Sequence, residues 1–238
     1  MEPSQVVLVC ATKYPARYFH RVTQLGRSLR AFPEALRPQV FLLADNHGHA
    51  AAGLSSFYNR AIEEVKDAEI IVFLHDDVFI HDWNLAFQLD QALQIFDLIG
   101  VLGSAGVPHG QPGWWHGVDE DGGVVRNQSL TVSGSINHFD PILVRPDYFG
   151  PAPIACDLLD GVFLATRLEK LRPAGLRFDP QFIFHCYDTG FCCSARELGW
   201  TLGTWPIPLT HASRGDFGAA WLDSARRLKE KVQLANRA

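Results

Sequence analysis

The segment IIVFLHDDVFI, residues 70–80, constrains the fold more than any other part of the sequence. Its five leading apolar residues end abruptly in His75, Asp76 and Asp77. A continuous apolar run of this length predicts a strand buried on both faces, as in a parallel sheet covered by helices. Acids at the carboxyl end of such a strand lie where open α/β sheets bind their ligands.

The triplet His75, Asp76 and Asp77 allows two interpretations. Adjacent acids with a histidine suit a divalent cation, and a cation at a strand end suits a phosphate-bearing ligand. Alternatively, the triplet is a solvated turn in which an aspartate caps the next helix, because acids are common in turns.

Strand and helix patterns alternate through the first hundred residues. Continuous apolar runs predict four buried strands, at residues 6–11, 40–44, 70–74 and 99–103. Apolar residues between them step by three and four, which predicts three helices with these buried faces: Tyr18, Val22, Leu25, Leu29 and Phe32; Phe57, Ala61, Ile62 and Val65; Leu85, Leu89, Ala92, Leu93 and Phe96. We expect Ser55 or Ser56 to cap the second helix and Asp82 the third. This alternation predicts right-handed crossovers and a parallel sheet.

The pattern changes after residue 103. Residues 106–123 are rich in Gly, Pro, His and Trp, and they predict a long loop or an irregular hairpin, a kind of segment that is often functional. Further elements are expected in this half: a hairpin over 123–132, strands at 140–144 and 161–166, and a helix capped by Asp188 or Thr189 that ends at Leu198 before Gly199. A terminal helix follows, with a buried side of Trp221, Ala225 and Leu228.

Composition excludes several classes of protein. The 238 residues, 47% hydrophobic and 20% charged, predict one globular domain. A net charge of −5 and the lack of a basic run argue against binding to nucleic acid. We see no signal peptide and no apolar run of membrane-spanning length, so we expect a cytoplasmic protein. The odd number of cysteines and their spacing predict reduced, mostly buried thiols at Cys10, Cys156, Cys186, Cys192 and Cys193.

Six short motifs follow one another along the chain: LLADN, SSFYNRAIEEV, FLHDDV, DGVFLATR, FDPQFIFHCYDTGFCCSARELGW and THAS. In this order the chain resembles, over roughly residues 5–215, inverting glycosyltransferases of the A-type fold, specifically the large family 2 group and its glycosyltransferase-like relatives. The resemblance implies an α/β fold with a Rossmann-like, mostly parallel central sheet flanked by helices. It also implies a single domain over 1–238, with a nucleotide-binding half at 1–103 and a mixed acceptor and catalytic half at 104–238.

The resemblance implies a donor site for a nucleotide-sugar. Asp45 takes the position of the acid that bonds the nucleobase, while Asn59 and Arg60 lie on the helix beside the nucleotide. Asp76 faces the ribose or the outer shell of the metal, and Asp160 contacts the donor sugar. The alternatives are a turn cap for Asp45, a solvated helix face for Asn59 and a strand cap for Asp160.

The resemblance also implies a divalent metal, Mn²⁺ or Mg²⁺. Asp77 matches the acid that contacts the metal, and His75 stands where the family usually has the first Asp of its D-x-D motif. His211 is the candidate third ligand, and its alternative is a satisfied histidine at a strand end. A His with an Asp can still bind Mn²⁺.

Asp188 matches the catalytic base of the family, which takes the proton of the acceptor hydroxyl. At a helix N-terminus we expect the helix dipole to lower its pKa, with partial desolvation opposing this effect. The alternative is a simple helix cap. Tyr187 replaces the usual acid before Asp188, and Gly190 replaces the acid two residues after it.

Trp114 and Trp115 lie in the irregular loop. Flat aromatic faces pack well against the apolar C–H surfaces of sugars, so this pair is a candidate acceptor platform or lid. The alternative is a small satellite core beneath a long loop.

The resemblance, carried by these residues, implies a metal-dependent, inverting glycosyltransferase that moves a sugar from a nucleotide-sugar to a hydroxyl of a sugar, lipid-linked or small-molecule acceptor. A lipid-linked acceptor would place the protein at the membrane surface. One alternative is a non-catalytic nucleotide- or carbohydrate-binding module of the same fold, because His75 and Gly190 depart from the family pattern. The other is a nucleotidyltransferase, which would normally have a glycine-rich, basic loop after the first strand. The segment ATKYPARYFH at that place contains no glycine, which argues against this alternative.

Overall fold

The computed structural model describes residues 4–47, 52–138 and 145–235. Its strands are β1 Val6–Ala11, β2 Gln39–Leu43, β3 Ile70–Leu74, β4 Val78–Ile80, β5 Leu98–Gly100, β6 Leu102–Ala105, β7 His116–Val118, β8 Val124–Arg126, β9 Thr131–His138, β10 Arg145–Gly150, β11 Ala155–Cys156, β12 Leu158–Leu159, β13 Phe163–Arg167, β14 Leu202–Thr204 and β15 Leu209–His211. Its helices are α1 Phe19–Val22, α2 Gln24–Ala31, α3 Leu54–Glu64, α4 Leu85–Ala92, α5 Leu168–Leu171, α6 Tyr187–Glu197 and α7 Ala219–Ala235. Two 3₁₀ turns are added at Ala16–Tyr18 and Glu34–Leu36.

The central sheet contains the apolar strands that the sequence predicts. Its order is β11-β14-β5-β13-β3-β1-β2. β1 pairs in parallel with β2 and β3, and β5 pairs in parallel with β14. β13 runs antiparallel between β3 and β5, and β11 runs antiparallel to β14. Five of the seven strands, all but β11 and β13, therefore run in one direction, and the prediction of a mostly parallel central sheet is confirmed.

A second sheet lies beside the first, with the order β12-β6-β9-β15-β4 and with β10 paired to β9. The predicted strand at 99–103 is divided between the two sheets, because the chain leaves the central sheet after β5 and enters the second as β6. At this crossing Gly134 of β9 has φ +101°, and a Cβ there would lie 1.9 Å from the carbonyl oxygen of Val101. Only glycine tolerates that approach and that backbone conformation.

The first predicted helix is wrong in part. The chain forms α1 and α2 instead, with a break at Thr23, whose backbone is extended and whose side chain accepts a hydrogen bond from the Gly26 amide. Because the break rotates the first turns, Tyr18 and Val22 are 43% and 39% exposed, and Phe19 is buried in their place.

The predicted helix caps are also corrected. α3 begins directly after Gly53, so Ser55 lies inside the helix and donates its hydroxyl to the carbonyl oxygen of Phe182. Asp82 accepts a bond from the amide of Asn84, which is itself the residue that precedes α4. Gly199 follows α6 with φ +77°, as predicted.

The second half has more short strands than the sequence pattern indicates. The predicted hairpin at 123–132 occurs earlier, as β7 paired with β8. The predicted strand at 161–166 is found as β13, and the one at 140–144 lies outside the described residues. α7 forms as predicted, with Trp221, Ala225 and Leu228 buried.

The cysteines agree with the prediction from composition. All five are free, four are buried and Cys193 is partly buried. In the described part of the chain, no helix combines the length and the apolar character needed to cross a membrane.

An aromatic cluster joins the central sheet to α3 and α6. The ring of Phe178 stacks on Phe191 at a centroid distance of 3.9 Å, and it contacts Phe73 and Tyr58 at 4.9 and 5.1 Å. Tyr187 adjoins the same cluster, with its ring 5.7 Å from that of Tyr58. The first turn of α6 is thus packed on the core.

Phe178→Ala should destabilise the fold more than an exposed substitution of the same type. Removing this buried ring should lower the free energy of unfolding by about 3–5 kcal/mol, because a cavity remains in the aromatic cluster. Phe87→Ala is the matched control, since Phe87 is 59% exposed on α4, and it should cost less than about 0.5 kcal/mol. Urea denaturation monitored by circular dichroism measures the free energy of unfolding of both variants. Equal decreases in the two variants would contradict the assignment of Phe178 to the core.

Candidate active site

Two adjoining cavities lie at the carboxyl ends of the parallel strands. The first has a volume of about 480 Å³ and the second about 570 Å³. They share five lining residues: Ala11, Leu54, Asp76, Asp77 and Phe184. Asp76 and Asp77 therefore lie at the border between the two cavities, and His75 lines the first, where an open α/β sheet is expected to bind its ligand.

His75, Asp77 and His211 form a cluster on the wall of the first cavity, called here the His–Asp–His cluster. Antiparallel pairing of β15 with β4 places His211 opposite Val78, and so beside Asp77. His211 Nε2 lies 3.2 Å from Asp77 Oδ1 and 3.5 Å from His75 Nδ1. One ligand atom from each of the three residues lies within 4.8 Å of the others, which fits a single divalent cation.

Hydrogen bonds hold Asp77 as a carboxylate. Its Oδ2 accepts a bond from the Ser213 amide at 3.1 Å, and its Oδ1 faces His211. Burial raises the pKa of Asp77, but these partners outweigh it and lower the pKa well below its usual range. Burial also lowers the pKa of His211, yet the hydrogen bond to Asp77 raises it overall.

Burial and the neighbouring His211 lower the pKa of His75. A neutral imidazole is the form that coordinates a metal, because protonation consumes the lone pair. The environment of His75 therefore favours its ligand form.

Asp76 turns from the cluster toward the second cavity. Its Oδ2 accepts a hydrogen bond of 2.6 Å from the hydroxyl of Thr12, and its carbonyl oxygen accepts one from the Leu25 amide. Burial raises the pKa of Asp76 although the bond from Thr12 opposes this. Asp76 is the one residue among the five donor-site predictions that lines both cavities.

Asn59 and Arg60 line neither cavity. The side-chain amide of Asn59 donates to the carbonyl oxygen of Phe178 at 2.7 Å and accepts from its N–H at 2.8 Å. Arg60 lies over the rings of Phe41 and Phe57 and 3.9 Å from Glu64. Asn59 therefore ties α3 to the backbone of Phe178, and Arg60 lies along the exposed side of α3.

Asp45 also lines neither cavity, and its neighbour Asn46 lines the second. Asp45 is exposed at the end of β2, with a left-handed backbone at φ 56°. That conformation turns the chain, so that the next residue rather than Asp45 faces the cavity.

Asp188 lies in the first turn of α6 and lines the first cavity. Cys186 precedes the helix in a left-handed conformation with φ 60°, so Asp188 is not the capping residue. Asp188 Oδ2 accepts a bond from the Gly161 amide and Oδ1 accepts one from the Thr189 amide, both at 2.9 Å. Burial and the charge of Asp160 raise the pKa of Asp188 to about 7.

Two opposing effects on the pKa of Asp188 are expected, and the structure shows which is larger. The two backbone N–H groups lower the pKa, as expected at a helix N-terminus. Burial nevertheless dominates, because removing a carboxylate from water costs more than two amide bonds restore. A carboxyl group that titrates near neutral pH suits general base catalysis.

Asp160 and Trp114 are joined across the first cavity. The indole N–H of Trp114 donates to Asp160 Oδ2 at 2.5 Å, and the Val162 amide donates to Oδ1 at 2.8 Å. Both residues line the cavity, although Trp114 is only 8% exposed. Trp115 does not line it: its ring packs on Phe149 and lies beneath the guanidinium of Arg126.

Sequence reasoning missed several residues of the cavities. Tyr187 links two elements of the site through its hydroxyl, which lies 3.0 Å from His75 Nε2 and 2.9 Å from the carbonyl oxygen of Gly161. Arg214 and Phe217 line the first cavity, and Thr12 lines the second. Loop residues such as Arg214 carry no periodic signal, whereas Tyr187 was marked only by its unusual position beside Asp188.

A solved structure identifies the fold of this chain. The chain superposes on a crystal structure of GalNAc-T7 with UDP, GalNAc and Mn²⁺, with a TM-score of 0.57 and 13% identity over 96% of this chain and 48% of that chain. This chain thus spans about half the length of GalNAc-T7. A second structure, protein A197 from STIV, matches with a TM-score of 0.48 and 13% identity over 88% of this chain and 86% of that chain. The protein has the A-type glycosyltransferase fold.

The chain belongs to the glycosyltransferase-like family, whose profile matches residues 17–208. Membership in this family, together with the fold, supports a transferase. No curated protein sequence matches the chain.

Gly161→Ala should disturb both Tyr187 and Asp188. A Cβ at Gly161 would lie 2.3 Å from the Tyr187 hydroxyl oxygen and 3.0 Å from Asp188 Cβ. We expect the free energy of unfolding to fall by about 1–3 kcal/mol, since overpacking forces the neighbours apart. Gly117→Ala is the control, because a Cβ there meets nothing within 4 Å. Equal stability of the two variants in urea denaturation would contradict this packing.

Proposed function

We propose that this chain transfers a sugar from a nucleotide-sugar donor to an acceptor hydroxyl, with inversion and with a divalent cation held by the His–Asp–His cluster. One observation carries the proposal: Asp188, whose pKa is raised to about 7, lines the same cavity as His75, Asp77 and His211. A candidate base and a candidate cation site therefore face one cavity, as a metal-assisted sugar transfer requires.

The cavities suggest how the donor lies. The second cavity, lined by Thr12, Lys13 and Asn46, suits the nucleoside, because it offers hydroxyl, ammonium and amide groups beside the apolar Leu54. The diphosphate then lies at Asp76 and Asp77, where the cavities meet, and the sugar enters the first cavity. The binding of UDP and Mn²⁺ by GalNAc-T7, which shares the fold, supports this arrangement.

The His–Asp–His cluster fits Mn²⁺ or Mg²⁺ as the resemblance implies, and its two imidazoles favour Mn²⁺. When bound, such a cation neutralises the charge that develops on the departing diphosphate. Arg214, which lines the first cavity and makes no ion pair among the described residues, is a further positive group for the same oxygens.

Asp188 supplies the base. As the acceptor oxygen bonds to the anomeric carbon, its proton passes to the Asp188 carboxylate and the bond from that carbon to the diphosphate oxygen breaks. A single displacement with attack opposite the leaving group inverts the anomeric centre. The amides of Gly161 and Thr189 hold both carboxylate oxygens in place.

The two halves, 1–103 and 104–238, are proposed to act as one domain. β13 and β14 of the second half pair with β3 and β5 of the first, so a single sheet carries both halves. The acceptor side is proposed to lie near Trp114 and Asp160 in the first cavity. Trp115 is proposed to support Trp114 from behind rather than to touch the acceptor.

A non-catalytic binding module of the same fold is the second candidate, and the lack of an acid at Gly190 favours it. A Cβ at Gly190 would make only ordinary contacts, at 3.5 Å and beyond with Phe182, so packing does not require a glycine there. Turnover of the donor distinguishes the two candidates, because a module would bind the nucleotide-sugar without consuming it.

Asp188→Asn should lower kcat by about 10²–10⁴-fold, because the amide cannot take the acceptor proton. In the unaltered protein, kcat/KM should be low below pH 7, rise through about pH 7 as the carboxylate forms, and level above it. Donor consumption between pH 5 and 9 measures both effects. Asp121→Asn, on an exposed turn, is the control. Unchanged turnover in Asp188→Asn would refute the assignment of the base.

Donor binding should require the cation. In a thermal-shift panel of UDP-, GDP-, dTDP- and CMP-sugars, one nucleotide should raise the melting temperature with Mn²⁺ and not with EDTA, because a ligand of the native state stabilises it. Asp77→Ala should remove that shift, and Asp67→Ala, at an exposed position, should keep it. A shift of equal size in EDTA would count against the metal-dependent donor site.

A further inference from the structure

Two residues that depart from the family pattern, His75 and Tyr187, contact each other. The hydroxyl oxygen of Tyr187 lies 3.0 Å from His75 Nε2, although the two residues are 112 positions apart in the chain. Tyr187 is only 4% exposed, so water does not compete freely for this contact. The pair connects the end of β3 with the first turn of α6.

The direction of this hydrogen bond follows from the number of protons that the phenol carries. Tyr187 has one hydroxyl hydrogen, and it donates that hydrogen to the carbonyl oxygen of Gly161 at 2.9 Å. Gly161 is buried, and its carbonyl has no other donor among the described residues. If the hydroxyl turned to His75, this carbonyl would be left unpaired, which native structures avoid.

In its contact with His75, therefore, the hydroxyl oxygen of Tyr187 is the hydrogen-bond acceptor. His75 must carry its proton on Nε2 in order to donate to the phenol oxygen, and a neutral imidazole then has its lone pair on Nδ1. His75 Nδ1 lies 3.5 Å from His211 Nε2, so the lone pair faces the His–Asp–His cluster. Burial keeps the pKa of the Tyr187 phenol well above its usual value, so the phenol retains its proton.

We propose that Tyr187 is a positioning residue that holds His75 in the Nε2–H tautomer and thereby presents the Nδ1 lone pair to a divalent cation. This inference rests on the cation site of the proposed function. It gives Tyr187 a role that an acid at the same position would not perform equally, since a carboxylate has no hydrogen for the Gly161 carbonyl. It also ties a metal ligand to the residue directly before Asp188.

The affinity for manganese chloride, measured by isothermal titration calorimetry without donor, tests the proposal. Tyr187→Phe should weaken binding by about 10–100-fold, the usual effect of removing the partner of a ligating histidine. Tyr148→Phe is the control, because it removes the hydroxyl of a tyrosine that is 72% exposed on β10 and lines neither cavity. The control should bind manganese within about twofold of the unaltered protein.

Nitrogen NMR of the metal-free, unaltered protein reads the tautomer of His75 directly. The His75 resonances, assigned by their loss in His75→Gln, should show a protonated Nε2 and an unprotonated Nδ1. In Tyr187→Phe this preference should decrease, and in Tyr148→Phe it should persist. The tautomer is a signature that a merely structural role for Tyr187 would not move.

The outcomes separate this inference from the proposed function. If the unaltered protein and Tyr187→Phe bind manganese equally well, the role of Tyr187 alone is overturned. A His75 protonated on Nδ1 in the unaltered protein would overturn it as well. No manganese binding by the unaltered protein would overturn the cation site, and with it the inference. Weak binding in Tyr187→Phe together with the Nε2–H tautomer in the unaltered protein would support both.

Discussion

The close approach of Gly161 to the first turn of α6 is the constraint on which the site depends. The Gly161 N–H donates a hydrogen bond to the Asp188 carboxylate, and the Gly161 carbonyl oxygen accepts one from the Tyr187 hydroxyl. The backbone of this single residue therefore holds both side chains. The approach exists because β13 inserts antiparallel beside β3, with Phe163 opposite Leu74, which places Gly161 next to the end of β3. Because Gly161 has no side chain, the first turn of α6 can lie against this segment.

The same site shifts two carboxyl groups in opposite directions. Hydrogen bonds from His211 and Ser213 lower the pKa of Asp77, whereas burial and the charge of Asp160 raise the pKa of Asp188. A permanently ionised acid suits a cation, and an acid that titrates near neutral pH suits proton transfer. Pairs of acids with such divergent environments are typical of sites that divide binding and catalysis between them.

Hydrophobic patterning predicted most of the architecture, including β1, β3 and the terminal helix α7. It failed where a local interaction overrides periodicity. Thr23 ends α1 early because its side chain caps α2, and the chain leaves the central sheet between β5 and β6 although the apolar run is continuous. A period of three or four residues reports which face is apolar, but it does not report where a helix breaks or which sheet a strand joins.

By itself, the sequence determined the alternation of strands and helices and placed His75, Asp77, Asp188 and His211 at element ends, because these depend on local pattern and order. Only the tertiary structure decided which side chains meet. Asn59 bonds a backbone 119 residues away instead of facing the cavity, and Tyr187 reaches His75 across 112 residues. The tertiary structure also decided the pKa of Asp188, because the burial that raises it depends on how the whole molecule packs and not on the helix N-terminus alone.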